Sequence, residues 1–425
     1  MSTIPTSATR CAAALAIDEE PLAAADRLAD VLAADLDGLE PSLLTLFVAA
    51  EHAGRATDIA ARLAARVESE AILAVTAESV LAGATEAEHQ PALAAWALHA
   101  DGLEVHPFTD DDLPARPEQD HPALADALAL DRHARCVVTF IDPFSVPVVK
   151  LLPSLNACCE PPPPLVGAMA SAAQKPGGNV LILNDEARHA GLVGVTLRQR
   201  ADAAPPGLRV DTVVSQGCRP VGPDLVITKA RGNAIQQLGG RNALEVVQEV
   251  LESLPQEDRV QLQKGLFLGR VINEYKERFG RGDYLIRAVV GAEPNSGTIA
   301  VGDVVKVGQT VRLHLRDANT ATEDLALLLD GQKLHGPPAG ALLFTCNGRG
   351  ASLFDAPHHD AAAITRAFSP PEAGERLAKA GKPYAETPTA RQPIPLAGCF
   401  AAGEIGPIGG QSFLHGHTAS LVLFR

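Results

Sequence analysis

The chain has 425 residues, of which 46% are hydrophobic and only 4% aromatic, and its formal net charge is −15 at pH 7. This length allows two or three domains, and the scarcity of aromatic side chains leaves few surfaces on which bases or sugars would stack. The acidic charge argues against nucleic acids and anionic membranes as partners, because both need a basic protein face. No stretch reaches the roughly 18 apolar residues of a membrane span. Seven scattered cysteines without a CxxC pair indicate a reduced, cytoplasmic protein.

The first 40 residues contain the apolar run CAAALAI and, after three acidic residues, a predicted amphipathic helix at Leu22–Leu36. The apolar run is too short and too closely followed by acids to be a secretory signal. We therefore predict an N-terminal helical segment over residues 1–40.

A repeated unit follows this segment. An apolar strand, a helix, a second apolar strand, a glycine-rich turn and a closing strand occur in this order three times, and the first strands are LLTLFVAA (43–50), CVVTFI (136–141) and ALLFTC (341–346). A crossover makes its two strands parallel, whereas a hairpin makes them antiparallel. The sequence thus predicts an α/β fold with mixed sheets and outer helices, in two similar halves built from the repeated strand–helix–strand–hairpin unit. A Pro- and Gly-rich insertion in the third copy is expected on the surface.

The chain changes character between the second and third copies. An amphipathic helix is predicted over Asn242–Leu254, and the polar stretch after it is typical of a hinge. We place a domain boundary here, so that the predicted domains cover residues 41–238 and 239–425.

Several of these segments resemble one family. In the N-terminal part they are LLTLFVAA and SQGCRPVGPDLVITKARGNAIQQLGG, and in the C-terminal part GDYLIRAVVG, TCNGRG, AGEIGPIGG and LHGHTASLVLF. Together they resemble the N- and C-terminal modules of the FIST (F-box and intracellular signal transduction) family over about residues 41–425. The resemblance implies a sensory protein for small ligands, with amino acids the usual proposal, or for some bacterial members a haem-based sensor of nitric oxide. Since no kinase, cyclase or F-box segment is left over, the signal is expected to pass to a separate protein.

The segment TCNGRG leaves a strand at its carboxyl end, where ligand sites of α/β proteins lie. Gly348 and Gly350 would let backbone N–H groups approach a ligand, and Arg349 could hold a carboxylate through two hydrogen bonds. Glu404, flanked by Gly403 in AGEIGPIGG, could pair with the ammonium group of the same ligand. The alternative is that Glu404 caps its own turn or pairs with Arg349 directly. The site hypothesis requires the two segments to lie side by side at one sheet edge.

The predicted ligand-binding residues are Cys346, Asn347, Arg349, Gly350, Gly403, Glu404 and His415. An enzyme that uses Cys346 as nucleophile is an alternative, although no family signature surrounds this residue. A metal site at His415 and His417 lacks an evident third ligand. Haem needs one axial histidine, and thirteen are available, so the composition neither excludes haem nor selects its ligand. We therefore expect binding without turnover, with no metal or cofactor required.

Overall fold

The computed structural model describes residues 9–203, 207–262, 265–369 and 394–425. The chain forms two compact units, and the first comprises Met1–Val214, Ala326–Leu414 and Ala419–Arg425. The second comprises Ser215–Leu325 and His415–Thr418. The boundaries between these compact units do not fall at residue 238. The division of the sequence into domains 41–238 and 239–425 stays a prediction. The insertion expected in the third copy falls within residues 370–393, outside the described residues.

The first unit contains three copies of one series of elements: a leading strand, a helix, a strand, a helix, a strand, a hairpin and a closing strand. The first copy consists of β1 (Thr9–Ile17), α1 (Pro21–Leu36), β2 (Leu43–Ala49), α2 (Ala56–Ala64), β3 (Ala71–Ala77), the hairpin β4 (Val80–Ala82) and β5 (Thr85–Ala87), and β6 (Ala92–Ala100). The second consists of β7 (Leu103–Thr109), α3 (His121–Ala127), β8 (Ala134–Ile141), α4 (Val148–Ala157), β9 (Leu165–Met169), the hairpin β10 (Leu181–Leu183) and β11 (Glu186–Arg188), and β12 (Leu192–Gln199).

The third copy is interrupted by the second unit, which follows its leading strand in the chain. It consists of β13 (Val210–Gln216), α7 (Ala318–Lys333), β21 (Gly340–Cys346), α8 (His359–Ala367), β22 (Leu396–Ala401), the hairpin β23 (Glu404–Ile408) and β24 (Gln411–His415), and β25 (Thr418–Phe424). The predicted repeat unit was therefore correct in its order but lacked the leading strand and the helix after it.

The N-terminal segment is not only helical. The helix predicted there is present as α1, but the apolar run before it forms strand β1, which pairs antiparallel with β6 along its whole length. Its central alanines, Ala12, Ala13 and Ala14, are buried, so the run covers the edge of the first sheet. A run this short cannot form a stable helix by itself, whereas nine residues are ample for a strand.

Each copy builds one mixed sheet, as the fold class predicted. The strand before the second helix of the copy pairs parallel with the strand after that helix and antiparallel with the closing strand; the pairs are β2 with β3 and β6, β8 with β9 and β12, and β21 with β22 and β25. The leading strand lies at one edge of each sheet. Helices α1 and α2 cover the outer face of the first sheet with residues such as Leu28, Leu32 and Ile59.

The hairpins join the three sheets. Each hairpin leaves its own sheet and extends that of another copy: β10 pairs with β3, β23 with β9, and β4 with β22. The exchange is cyclic, so every sheet both gives and receives a hairpin. As a result residues 78–88 of the first copy lie against residues 347–361 of the third, although more than half of the chain separates them.

The three sheets enclose a common apolar core at whose centre three phenylalanines meet. Phe47, Phe140 and Phe344 lie in the corresponding strands β2, β8 and β21, one or two residues before each strand ends. Their ring centroids are 5.8, 5.9 and 6.3 Å apart, in edge-to-face contacts. This arrangement is favourable for aromatic rings and marks an approximate threefold axis of the first unit.

The second unit is mainly a β-sheet. Its elements are β14 (Cys218–Arg231), β15 (Ala234–Leu238), β16 (Arg241–Asn242), α5 (Ala243–Ser253), α6 (Gln256–Gln261), β17 (Phe267–Val271), β18 (Tyr284–Glu293), β19 (Thr298–Val301) and β20 (Thr310–Arg316). The order is β14-β20-β17-β18-β19-β15-β16, and a further pairing of β14 with β15 closes the sheet on itself. The predicted amphipathic helix is present as α5, and Asn242 caps it by accepting hydrogen bonds from the N–H groups of Leu244 and Glu245. Among the described helices, none is both long and apolar enough to cross a membrane.

Candidate functional site

The two segments predicted to form a site are neighbours. Strands β21 and β22 pair in parallel, and the N–H of Asn347 donates to the carbonyl of Ala401 at 3.0 Å. TCNGRG and AGEIGPIGG therefore begin at the same sheet edge, which confirms the predicted adjacency. Cys346, Asn347, Arg349 and Gly350 lie at or just after the end of β21, whereas Gly403 and Glu404 follow β22. His415 ends β24 and belongs to the second compact unit.

Arg349 is fully buried, and its guanidinium is held by an acid that the sequence analysis did not select. Nε donates to Oδ2 of Asp360 at 2.6 Å, and Nη2 donates to Oδ1 at 2.8 Å. Burial alone would raise the pKa of Asp360, but the charge and hydrogen bonds of Arg349 outweigh it and hold that pKa below its ordinary value. The bidentate edge that could bind a ligand carboxylate is thus occupied by a protein carboxylate. Nη1 has no hydrogen-bond partner among the described residues.

Asp360 is held in place by helix α8. Helix α8 begins at His359, so Asp360 lies in its first turn. An acid is favourable there because it faces the positive end of the helix dipole. Thr345 donates to the same carboxylate at 3.0 Å, and the ring of His359 stacks on Phe354 beside it.

Glu86, on the exchanged hairpin, is a second buried acid in this cluster. It is 2% exposed, its Oε1 accepts from the N–H of Ala361 at 2.9 Å, and its own N–H donates to Nδ1 of His358 at 3.0 Å. Burial, and then repulsion from Asp360, raises the pKa of Glu86 to about 8, so its carboxyl is mostly protonated at neutral pH. Its Oε2 is buried and makes no hydrogen bond to any described residue.

Glu404 lies in the core rather than on a free loop. It is fully buried and begins strand β23, where it is paired with Ala168. In each sheet the core phenylalanine is paired with a residue of the next strand, and that residue is paired with one of the exchanged hairpin. The hairpin residue is Leu181 in the first sheet and Val80 in the third. Glu404 takes the same place in the second sheet. Its charge is among the influences that raise the pKa of Arg349, after that of Asp360.

The accessible part of the cluster is formed by Glu78 and Asn347. Glu78 follows β3, its side chain is 33% exposed, and its Oε2 accepts from Nδ2 of Asn347 at 2.8 Å. Its Oε1 lies 3.8 Å from Nε2 of His89, and Oδ1 of Asn347 is buried without a partner among the described residues. Partial burial raises the pKa of Glu78, and the nearby charges of Glu51 and Glu88 act in the same direction.

The loop 347–351, which we call the site loop, is held by two glutamates of the first copy. Glu78 accepts from Asn347, and Glu88 accepts from the N–H of Ala351 at 3.0 Å. Gly350 has φ +57°, and a Cβ at this position would lie 2.6 Å from Oε2 of Glu88. Only glycine therefore allows both the turn and the close approach of the carboxylate.

The three glutamates were not predicted because hairpin exchange brings them to this cluster from another copy. Asp360, eleven residues after Arg349 in the same copy, was not predicted because only the start of α8 directs it towards the guanidinium. One signal was available: Glu86 interrupts an otherwise apolar hairpin, as Glu404 does in the third copy.

A second acidic surface lies at the other end of the first sheet. An open cleft of about 400 Å³ is lined there by residues that precede β2 and β3, end or follow β6, or follow β12, among them Glu40, Ser42, Glu70, His99, Asp101 and Arg200. It contains none of the predicted site residues.

No group of metal ligands occurs among the described residues. For haem, His314 in the second unit has a suitable donor, because its Nδ1 lies 3.0 Å from the carbonyl of Arg312 and its Nε2 makes no hydrogen bond to a described residue. The ring is nevertheless fully buried, and a Cβ on Gly269 would come within 2.3 Å of it. A macrocycle does not fit beside this ring as it is packed.

Comparison with known proteins agrees with this architecture. The model of the FIST N domain matches residues 42–241, and that of the FIST C domain matches residues 243–407. The chain therefore belongs to the FIST family, whose domains are associated with signal transduction and the sensing of small ligands. It is 36% identical over 393 residues to the uncharacterized proteins MT0656 and Rv0628c of two Mycobacterium tuberculosis strains, and these matches cover 92% of this chain and 93% of theirs. The uncharacterized protein Mb0898c of Mycobacterium bovis is also 36% identical, over 92% of each chain.

Proposed function

We propose that this protein senses a small metabolite that carries a protonated amine, such as an amino acid, and passes the signal to a separate protein. The amine would bind at the mouth of the cluster, at Oε1 of Glu78. The observation that carries the proposal is the half-buried carboxylate of Glu78, which lies among other acids and whose Oε1 is 3.8 Å from Nε2 of the mostly exposed His89.

The available groups favour a donor-rich ligand. Oε1 of Glu78 is an acceptor, and an ammonium group offers three donors and a charge that offsets the nearby acids. A carboxylate finds less here, because Arg349 is buried and its paired edge is bound to Asp360. The amine, rather than the carboxylate, is therefore the group by which the ligand is recognised.

A thermal-shift experiment with matched compounds tests this proposal. Each set would contain an amino acid, the amine that lacks its carboxylate and the acid that lacks its amine. A ligand at 100 times its dissociation constant stabilises a protein by about 2.7 kcal/mol, so binding is readily detected. We expect stabilisation by amino acids or amines and none by the acids. Stabilisation by the acids alone would contradict the proposal.

Replacement of Glu78 by glutamine tests the position of the site. We expect Glu78→Gln to weaken binding of the most stabilising amine by about 1.5–3 kcal/mol, since a charge-assisted hydrogen bond is lost. Titration calorimetry measures the difference. Glu186→Gln, in the equivalent hairpin of the second copy, is the control, because that side chain is 57% exposed and far along the chain from the site loop. Equal affinities of Glu78→Gln and wild type would place the ligand elsewhere.

A further inference from the structure

Buried charges lie at the junction of hairpin β4–β5 with helix α8, where a junction is the contact between an exchanged hairpin and the helix beside it. The fold does not require these charges, because the other two junctions lack them. Strand register places Ala187 of the second hairpin at the position of Glu86. The third hairpin contacts α4 through neutral groups, as Ser412 and Asn156 exchange two hydrogen bonds. Two of the three copies thus form the same junction with small or neutral residues.

Buried charges are costly, and comparable packing with neutral groups is often at least as stable. At this junction Glu86, Arg349 and Asp360 are all nine-tenths or more buried, and Oε2 of Glu86 and Nη1 of Arg349 lack partners among the described residues. The junction of hairpin β4–β5 with helix α8 therefore has buried charges that stability alone does not explain.

We propose that Glu86 is a positioning residue that holds the site loop closed by carrying a proton. The inference rests on the proposed function in so far as the loop it holds contains Asn347. Glu86 acts through the start of α8, where it binds Ala361, and α8 in turn presents Asp360 to Arg349 of the loop. The groups that face Glu86 are Asp360, Glu88 and Arg349 by their charge, and His358 by a hydrogen bond.

The proton makes the junction sensitive to pH, with a definite sign. The pKa of Glu86 is raised from 4.5 to about 8 by burial and by Asp360, so the closed junction keeps its proton in a range where the opened, hydrated carboxyl loses it. Opening should therefore become easier as pH rises between these two values and then level off. By linkage the opening constant should increase about tenfold per pH unit within this range.

Hydrogen–deuterium exchange on the ligand-free protein tests the proposal, with labelling times scaled to the intrinsic exchange rate at each pH. We expect protection of the site loop and of the first turns of α8 to fall about 100-fold between about pH 5.5 and 7.5 in wild type, and to change little with pH in Glu86→Gln. Peptides from α2 and α4, at the other two junctions, should show no such slope. Glu86→Ala, which copies the residue of the second hairpin, provides a second variant if the glutamine protein does not fold.

Three results would overturn the proposal. Wild type could show no pH dependence of protection at the junction of β4–β5 with α8, the pH dependence could persist in both variants, or it could be equal at all three junctions. The experiment uses no ligand. If no amine stabilises the protein but hydrogen exchange shows the expected pH dependence, the proposed function is wrong and the role of Glu86 stands. If an amine binds but exchange shows no such pH dependence, the role of Glu86 is wrong and the proposed function stands.

Discussion

Replacement of Arg349 by methionine should lower the free energy of unfolding by about 3–5 kcal/mol, because it leaves the carboxylate of Asp360 buried without its counter-charge. The side chains of Arg349 and Asp360 are 0% and 1% exposed, so water cannot replace the lost hydrogen bonds unless the junction opens. Urea denaturation with an unchanged slope against denaturant concentration would measure the loss as a shift in midpoint.

The matched control for Arg349 is the double variant Arg349→Met with Asp360→Leu, which removes both charges. It should be clearly more stable than the single variant, because no ion is left buried. The pH dependence provides a second check: since the folded pKa of Asp360 is depressed, the contribution of the pair is complete above the ordinary pKa of 3.8 and is lost as the pH falls below it. A single variant as stable as wild type at pH 7 would show that the pair carries no weight.

Replacement of Phe344 by alanine should destabilise the protein by about 3–5 kcal/mol, the range for removal of a buried aromatic ring. The ring is fully buried and touches Phe47 and Phe140, so its loss leaves a cavity where the three sheets meet. Phe344→Leu fills most of this space and should cost less than half as much. Equal stability of the alanine variant and wild type would show that the phenylalanines are not the centre of the core.

Much of the fold could be predicted from the sequence, because the signal is local. Apolar strands such as LLTLFVAA and ALLFTC are each followed by a helix and then by a second apolar strand. This order is sufficient to predict parallel pairs and mixed sheets. The adjacency of TCNGRG and AGEIGPIGG follows from the same pattern. The strand β1 was missed because a short alanine-rich run has weak preference for either helix or sheet until a partner strand covers it.

The partners of the site loop could not be predicted, because they come from a hairpin that leaves its own sheet. Glu78, Glu86 and Glu88 meet residues 347–361 only after β4 pairs with β22. Asp360 is close to Arg349 in the chain, but only the start of α8 directs it towards the guanidinium. The expectation that Arg349 would be available to a ligand therefore overlooked a nearer acid.

Glu404 has a definite environment in the core, and its role as a ligand-binding residue is still a prediction. It replaces an apolar core residue of the other copies and lies close enough to Arg349 to favour the charged guanidinium. The glycine before it, Gly403, is tightly packed, since a Cβ there would come within 2.9 Å of Leu414. The backbone that leads into the acid is thus closely packed.

The most direct test of the central claim is a crystal structure of the protein soaked with the most stabilising amine. We expect the amine nitrogen to lie within hydrogen-bond distance of Oε1 of Glu78, with the site loop closed on Glu88. Density for the amine in the acidic cleft beside Glu70 and His99, with none at Glu78, would contradict it.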